Sequence, residues 1–167
     1  QIVKNLMYKL FTSADVERLF SLYPITDSIV SSVANIEPAV VNALHRLSKH
    51  FILFDHLTPL PIVNCYQSPE TLGHDRIASA VGASHLCPNT NLLIVDAGSA
   101  VTYDFVSAEK GFLGGNIAPG IKMRLTALNQ MTKKLPMVEV EQNAFRPLFG
   151  KNTREAIAVG VVRGIVF

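Results

Sequence analysis

The chain has 167 residues, of which 49% are hydrophobic and 17% charged, and it carries a formal net charge of +2. This length fits one or two domains, and the mean hydropathy of +0.28 excludes a largely disordered chain. No apolar run approaches the ~20 residues of a membrane span and the basic residues are not clustered, so we expect neither a membrane nor a nucleic-acid partner.

Apolar periodicity and turn residues predict alternating helices and strands through the first ninety residues. Thr12 is expected to cap the first helix, with Asp15 in its first turn. Ser68-Pro69-Glu70 is typical of a helix start. The predicted helices cover residues 12–22, 37–50 and 75–86, and the predicted strands cover residues 28–33, 51–54 and 62–64.

Beyond residue 90, a buried strand over 92–96 and an alternating strand over 100–107 are predicted to form a hairpin around Ala97-Gly98-Ser99. A short strand near Phe112, a loop at Gly114-Gly115-Asn116, a helix from Pro119 to about Met131 and a strand over 138–140 follow. Asn152 is expected to cap the last helix, with Glu155 as its capping-box partner.

This alternation predicts an α/β fold, and a shift in composition predicts how it is divided. Eight of the ten glycines follow residue 97, which places a boundary near residue 90 between a first part, 1–90, and a second part, 91–167. The chain starts without methionine and ends inside an apolar periodic pattern. We therefore expect a piece of a longer protein, truncated at both ends.

Gly73-His74-Asp75-Arg76 is the first segment that could carry chemistry. A glycine lets the backbone approach a ligand closely. Asp75 could accept a proton from a substrate hydroxyl, and Arg76 could hold an anionic group through two hydrogen bonds. The alternative is an ordinary helix cap at Asp75 beside a solvated Arg76.

Asp96-Ala97-Gly98-Ser99 is the second such segment. Backbone amides in a tight turn can face phosphate oxygens, and an aspartate at the end of a strand can hold a cation there. The alternative is an ordinary hairpin in which Asp96 favours the turn.

Two further segments are less specific. Residues 114–120, Gly-Gly-Asn-Ile-Ala-Pro-Gly, lead into a helix amino terminus, which attracts anions, but the spacing is neither that of a P-loop nor that of a dinucleotide site. In Gly150-Lys151-Asn152-Thr153, the Thr153 hydroxyl could meet a ligand or simply cap the helix.

The remaining reactive side chains form no recognisable metal or hydrolase motif. The five histidines have no HExxH or paired Cys/His spacing, and His74 is interpreted as a solvated loop residue. Cys65 and Cys87 have no disulfide framework, and no signal segment or sequon is present. We expect reduced, buried thiols and a cytoplasmic protein.

Taken together and in this order, the four segments resemble the type III pantothenate kinase family. The match also includes Tyr66-Gln67-Ser68-Pro69-Glu70-Thr71-Leu72 before the first segment and Ala100-Val101-Thr102-Tyr103-Asp104 after the second. The resemblance implies an actin-like (ribonuclease H-like) two-half ATPase fold, incomplete in this chain. It implies ATP-dependent phosphorylation of pantothenate to 4′-phosphopantothenate, the first step of coenzyme A biosynthesis. It also implies magnesium, a monovalent cation (potassium or ammonium) and a homodimer.

Residue by residue, the resemblance makes Asp75 the general base that takes the proton of the pantothenate hydroxyl. Ser99 matches an ATP-contacting residue that is usually threonine, and Asp96 matches the ligand of the monovalent cation. The positions that match substrate contacts are Tyr66, Gly73, His74, Asp75, Arg76 and Thr153.

One family motif is missing. Nothing in residues 1–35 matches the opening Asp-x-Gly-Asn-Ser/Thr phosphate motif, and the closing helices of the second half are absent after residue 167. We attribute both gaps to truncation. The alternatives are an actin-like kinase with another acceptor, a non-catalytic regulator of the same fold, and a structural module without a ligand.

Overall fold

A computed structural model describes residues 4–32, 35–140 and 148–166 of the chain, without the side chain of residue 166. Its residues fall into two compact units: residues 1–60 with 68–75, and residues 61–67 with 76–167. The predicted boundary near residue 90 concerns the two halves of the fold, and it stays a prediction. Within the described part of the chain, every helix is too short or too polar to cross a membrane.

The first unit is built on a two-stranded parallel sheet with two helices. Its elements are α1 (Ser13–Leu22), β1 (Asp27–Val30), α2 (Pro38–Leu47), β2 (His50–Leu53) and a short 3₁₀ helix (Pro69–Thr71). Strands β1 and β2 pair in parallel, with Asp27 opposite His50. The buried core lies between the helices and consists of Val16, Val40, Ala43 and Leu44.

A capping box starts α1, as the sequence predicts. The Thr12 hydroxyl accepts a hydrogen bond from the Asp15 amide at 3.4 Å, and the Asp15 carboxylate accepts one from the Thr12 amide at 3.1 Å. The Asp15 carboxylate also accepts a hydrogen bond from the Thr12 hydroxyl at 2.7 Å, and this bond, with the one from the Thr12 amide, lowers the pKa of Asp15 below its ordinary value. The polar chemistry of residues 12–15 therefore fixes where the helix begins.

The second unit is an antiparallel meander with helices. Its elements are most of α3 (His74–Leu86), β3 (Leu92–Ala97), β4 (Ala100–Ser107), β5 (Gly111–Pro119), α4 (Ile121–Gln130) and α5 (Thr153–Val166). The strand order is β3-β4-β5. One core cluster joins α4 and α5 to residues 138–140 and contains Leu125, Val138, Ile157, Ala158 and Val161.

The α/β class and the hairpin around residues 97–99 are confirmed. The predicted loop at residues 114–116 is wrong, because these residues belong to β5 and pair with β4. No strand forms at 138–140, and the predicted strand at 62–64 is reduced to a single bridge from Asn64 to Phe112. Glycine content favours a loop at residues 114–116, and short apolar runs favour strands at residues 138–140 and 62–64, but neither feature decides the pairing.

Two predictions of burial are also wrong. Strand β3 is largely exposed, with Leu93 at 67% and Val95 at 53% of their full accessibility. Both cysteine thiols are exposed rather than buried. An apolar sequence indicates that a strand is suited to burial, but whether it is buried depends on whether another element packs on it.

Candidate functional site

The first turn of α3 carries the predicted acid. Gly73 precedes the helix, and His74 and Asp75 are its first two residues. The Asp75 side chain is exposed, at the end of the helix where the macrodipole favours a negative charge. This arrangement places an exposed carboxylate at the start of the helix.

His74 is held within the first unit rather than solvated, so the prediction of a loop histidine is wrong. Its Nδ1 lies 3.3 Å from the hydroxyl of Ser31, and its ring meets the Phe54 ring edge-on with centroids 5.1 Å apart. The ring is half-buried. These contacts fix the histidine directly before the exposed Asp75.

Arg76, the next residue, is buried and belongs to the second unit. Its Nε donates to both carboxylate oxygens of Asp104 at 3.0 and 3.1 Å, and its Nη2 donates to Oδ1 at 2.5 Å. The two side chains are 5% and 1% exposed. The hydrogen bonds to Asp104 raise the pKa of Arg76, so it stays a cation despite the opposing effect of burial.

Tyr66 completes this group of side chains, which we call the arginine cluster: Tyr66, Arg76 and Asp104. The Arg76 Cζ atom lies 5.6 Å from the centre of the Tyr66 ring, at cation–π distance. The Tyr66 ring in turn packs near Phe112, which is fully buried. Two predicted substrate residues, Tyr66 and Arg76, therefore lie side by side.

The glycines of β5 make room for the arginine cluster. A Cβ atom on Gly115 would overlap the Tyr103 carbonyl and the Asp104 carboxylate. Gly114 has φ +105°, and a Cβ there would lie 3.1 Å from the Tyr66 ring. The Gly-Gly pair is thus a packing feature of the sheet rather than the loop that the sequence predicts.

The hairpin between β3 and β4 presents the second predicted segment. Asp96 and Ser99 are both exposed there. The Gly98 amide donates to the Ala100 carbonyl at 2.9 Å, and the Gly120 amide donates to the Ser99 carbonyl at 3.0 Å. The turn therefore packs against the start of α4, while Asp96 and Ser99 remain exposed.

Lys122 is a neighbour of this turn to which the sequence analysis assigned no role. It lines a cavity of about 390 Å³ with Ser99 and a second one of about 630 Å³ with Ala97 and Gly98. In the sequence, only the position of Lys122 in the first turn of α4, two residues after Gly120, could have indicated that it lies near this turn. A cation beside a turn that is predicted to meet ATP is chemically suitable for a nucleotide.

Thr153 begins α5 and lines a wide groove of about 1140 Å³ between α4 and α5. Asn152, not Thr153, caps the helix: its side-chain oxygen accepts from the Glu155 amide at 3.0 Å. The Glu155 carboxylate accepts from the Lys151 amide at 2.9 Å. The Thr153 hydroxyl is therefore not the cap, and its role as a ligand contact stays a prediction.

Comparison with known proteins identifies the class of protein to which the chain belongs. The chain matches the family model described as type III pantothenate kinase over residues 4–167. This family has the actin-like fold, so the α/β elements described above are parts of that architecture.

The chain belongs to the type III pantothenate kinase family. It is 43% identical over 149 residues to the type III pantothenate kinase of Phocaeicola vulgatus, covering 89% of this chain and 61% of that protein. It is 40% identical over 152 residues to that of Bacteroides fragilis, covering 91% and 62%. With the enzyme of the same name from Cytophaga hutchinsonii, it shares 45% over 127 residues, covering 76% and 50%. The chain thus spans about three-fifths of the length of the first two relatives.

Proposed function

We propose that the protein carrying this chain transfers the γ-phosphoryl group of ATP to the hydroxyl of pantothenate, giving 4′-phosphopantothenate. The observation that carries the proposal is the family match over residues 4–167. The exposed Asp75 at the start of α3 supports it, because a carboxylate in that position suits proton transfer from a hydroxyl group.

Asp75 acts as the general base in this proposal. Its carboxylate takes the hydroxyl proton of pantothenate while the hydroxyl oxygen attacks the γ-phosphorus. The bond between that phosphorus and the β–γ bridging oxygen breaks, and ADP leaves. Phosphoryl transfer depends mainly on positioning and on neutralising charge, so one well-placed carboxylate suffices as the protein's proton acceptor.

The substrate contacts are those given by the family motif. Arg76 provides a cation for the pantothenate carboxylate, and Tyr66 lies against that guanidinium. His74 and Gly73 shape the backbone before the base, and Thr153 offers a hydroxyl at the start of α5. Anion recognition by arginine combines charge with directional hydrogen bonds.

The hairpin at residues 96–99 binds the nucleotide and a monovalent cation. Ser99 supplies a hydroxyl for ATP, and Asp96 supplies one exposed carboxylate. A single carboxylate brings one negative charge, which fits potassium or ammonium. Oxygen ligands of this kind also suit magnesium, which takes most of its remaining ligands from phosphates and water and neutralises phosphate charge.

We further propose a cytoplasmic homodimer as the working form. The resemblance to the family supports the dimer. The cytoplasmic location is supported by the proposed substrates, ATP and pantothenate.

Substrate-dependent ADP release from the complete protein tests the proposal. We expect ADP with ATP, magnesium, potassium and pantothenate, and none above background with a panel of sugars. ADP formed with a sugar but not with pantothenate would assign another acceptor. No ADP with any acceptor, together with no gain in melting temperature with ATP and pantothenate, would favour a non-catalytic regulator or a structural module.

The Asp75→Asn variant tests the base. We expect an unchanged fold and a loss of turnover of about 10²- to 10⁴-fold, the range for a lost general base. Glu70→Gln is the matched control, since Glu70 is an exposed carboxylate in the 3₁₀ helix five residues earlier and has no assigned role. Equal turnover in the wild type and in Asp75→Asn would remove Asp75 from the mechanism.

A further inference from the structure

Asp104 has no role in the motif-based assignment, yet it is one of the least exposed side chains of the described chain, at 1%. It lies in the middle of β4, opposite Gly115 of β5. The missing Cβ of Gly115 leaves the space that the Asp104 carboxylate occupies. Strand pairing therefore fixes this carboxylate in one place.

The carboxylate holds one edge of the Arg76 guanidinium. Bonds from Nε and Nη2, at 3.0 and 2.5 Å, define the plane of a group that is itself rigid and planar. The centre of the Tyr66 ring lies 5.6 Å from the guanidinium carbon, and the ring further restricts the guanidinium. A guanidinium is rigid, so fixing one edge sets the direction in which the whole group faces.

Stability alone gives a weak reason for such a pair. Buried ion pairs lose much of their attraction to the cost of removing both charges from water, and apolar residues of similar size are often as stable. The orientation of Arg76 is a property that apolar residues would not provide. An arginine that must meet a planar carboxylate needs that orientation.

We propose that Asp104 is a positioning residue for the substrate site: it aims the guanidinium of Arg76 at the carboxylate of the acceptor. This inference rests on the proposed function, in which Arg76 binds that carboxylate. It predicts that Asp104 discriminates between acceptors with and without a negative charge, although it does not touch the acceptor itself.

The test is steady-state kinetics of Asp104→Asn in the complete protein. The acceptors are pantothenate and its analogue in which the carboxylate is replaced by a primary alcohol. We expect KM for pantothenate to rise on the order of 10- to 100-fold, the cost of weakening a hydrogen bond to a charged group. We expect KM for the alcohol analogue and for ATP to change less than about twofold, since neither needs the aimed guanidinium.

A control variant separates positioning from loss of stability. Val40→Ala removes buried volume from α2, where Val40 is 3% exposed and packs with Val16, Ala43 and Leu44, a core cluster that contains no residue of the arginine cluster. We expect it to lower the melting temperature and leave both acceptor KM values unchanged. An equal change of KM for the charged and the uncharged acceptor in Asp104→Asn, or no change in either, would overturn the positioning role.

A double variant, Arg76→Met with Asp104→Leu, keeps the test decisive if Asp104→Asn does not fold. Two apolar residues restore a neutral interior, and we expect the protein to fold. Because this variant lacks the guanidinium, it tests whether the pair as a whole recognises the charge of the acceptor: loss of activity confined to pantothenate supports that premise, and wild-type KM for pantothenate overturns the proposal. If the wild type itself shows no pantothenate-dependent ADP release, the proposed function has failed rather than this inference.

Discussion

Asp96 and Asp104 are two carboxylates in neighbouring strands of one sheet, and their surroundings are opposite. The register pairs Asp96 with Thr102 and Ile94 with Asp104, so alternation places both aspartates on one face of the sheet. Asp104 is 1% exposed and bonded to Arg76, whereas Asp96 is exposed at the end of β3. The same residue type thus occurs in two different environments, since Thr102, the partner of Asp96 across the sheet, is only two residues from Asp104.

The difference shows how burial decides what a carboxylate can do. A buried carboxylate must be paired, and its pairing fixes other groups in place. An exposed carboxylate beside a turn keeps its oxygens for ions and ligands from solution. We therefore expect Asp104 to hold other side chains in place, and Asp96 to contact ions and ligands.

The largest expected effect comes from removing the buried carboxylate. Asp104→Ala leaves Arg76 buried without its counter-charge, so we expect a loss of about 3–5 kcal/mol in the free energy of unfolding. The control Asp96→Ala changes an exposed side chain, and we expect a change within about 0.5 kcal/mol. Urea denaturation followed by circular dichroism measures both, and equal losses would contradict the assignment.

A smaller effect is expected from the glycine that accommodates Asp104. Gly115→Ala places a methyl group against the Tyr103 carbonyl and the Asp104 carboxylate, so we expect a loss of about 1–3 kcal/mol. Gly82→Ala is the control, because a Cβ at Gly82 in α3 would have nothing within 4 Å. There we expect a gain of about 0.5–1 kcal/mol from helix propensity. Thermal unfolding of both variants checks the opposite signs.

The smallest effect concerns the half-buried carboxylate of Asp15, whose pKa is perturbed by its neighbours. The Thr12 hydroxyl and amide lower the pKa of Asp15 below 3.8, so the stability that this bonding contributes is present above the unfolded pKa and is lost as pH falls through the folded one. We expect Thr12→Ala to raise the pKa of Asp15 toward 3.8. NMR titration of the carboxyl carbon measures this, and an unchanged pKa would mean that the cap does not form in solution.

Local chemistry allowed α1 and the hairpin to be predicted from the sequence. The Thr12 cap and the tight turn at residues 97–99 each depend on a few neighbouring residues. The Gly114-Gly115 segment was assigned to a loop because glycine is common in turns, but its place in β5 depends on β4 and on Asp104.

The candidate site was predictable only as a set of motifs. The Arg76–Asp104 pair joins residues 28 positions apart, and nothing in either local sequence indicates that one faces the other. Tyr66 and Arg76 were both predicted from the family resemblance, and the structure adds that they touch. Contacts of this kind depend on strand register and helix docking, which composition and periodicity do not encode.

The meander β3-β4-β5 joins strands that follow one another directly along the chain. Short loops close at low entropic cost, so we expect this sheet to assemble early when the protein folds. The salt bridge from α3 to β4 spans 28 residues and needs the sheet already in place, so it should form after the rate-limiting barrier. Disrupting it would then accelerate unfolding while leaving the refolding rate nearly constant.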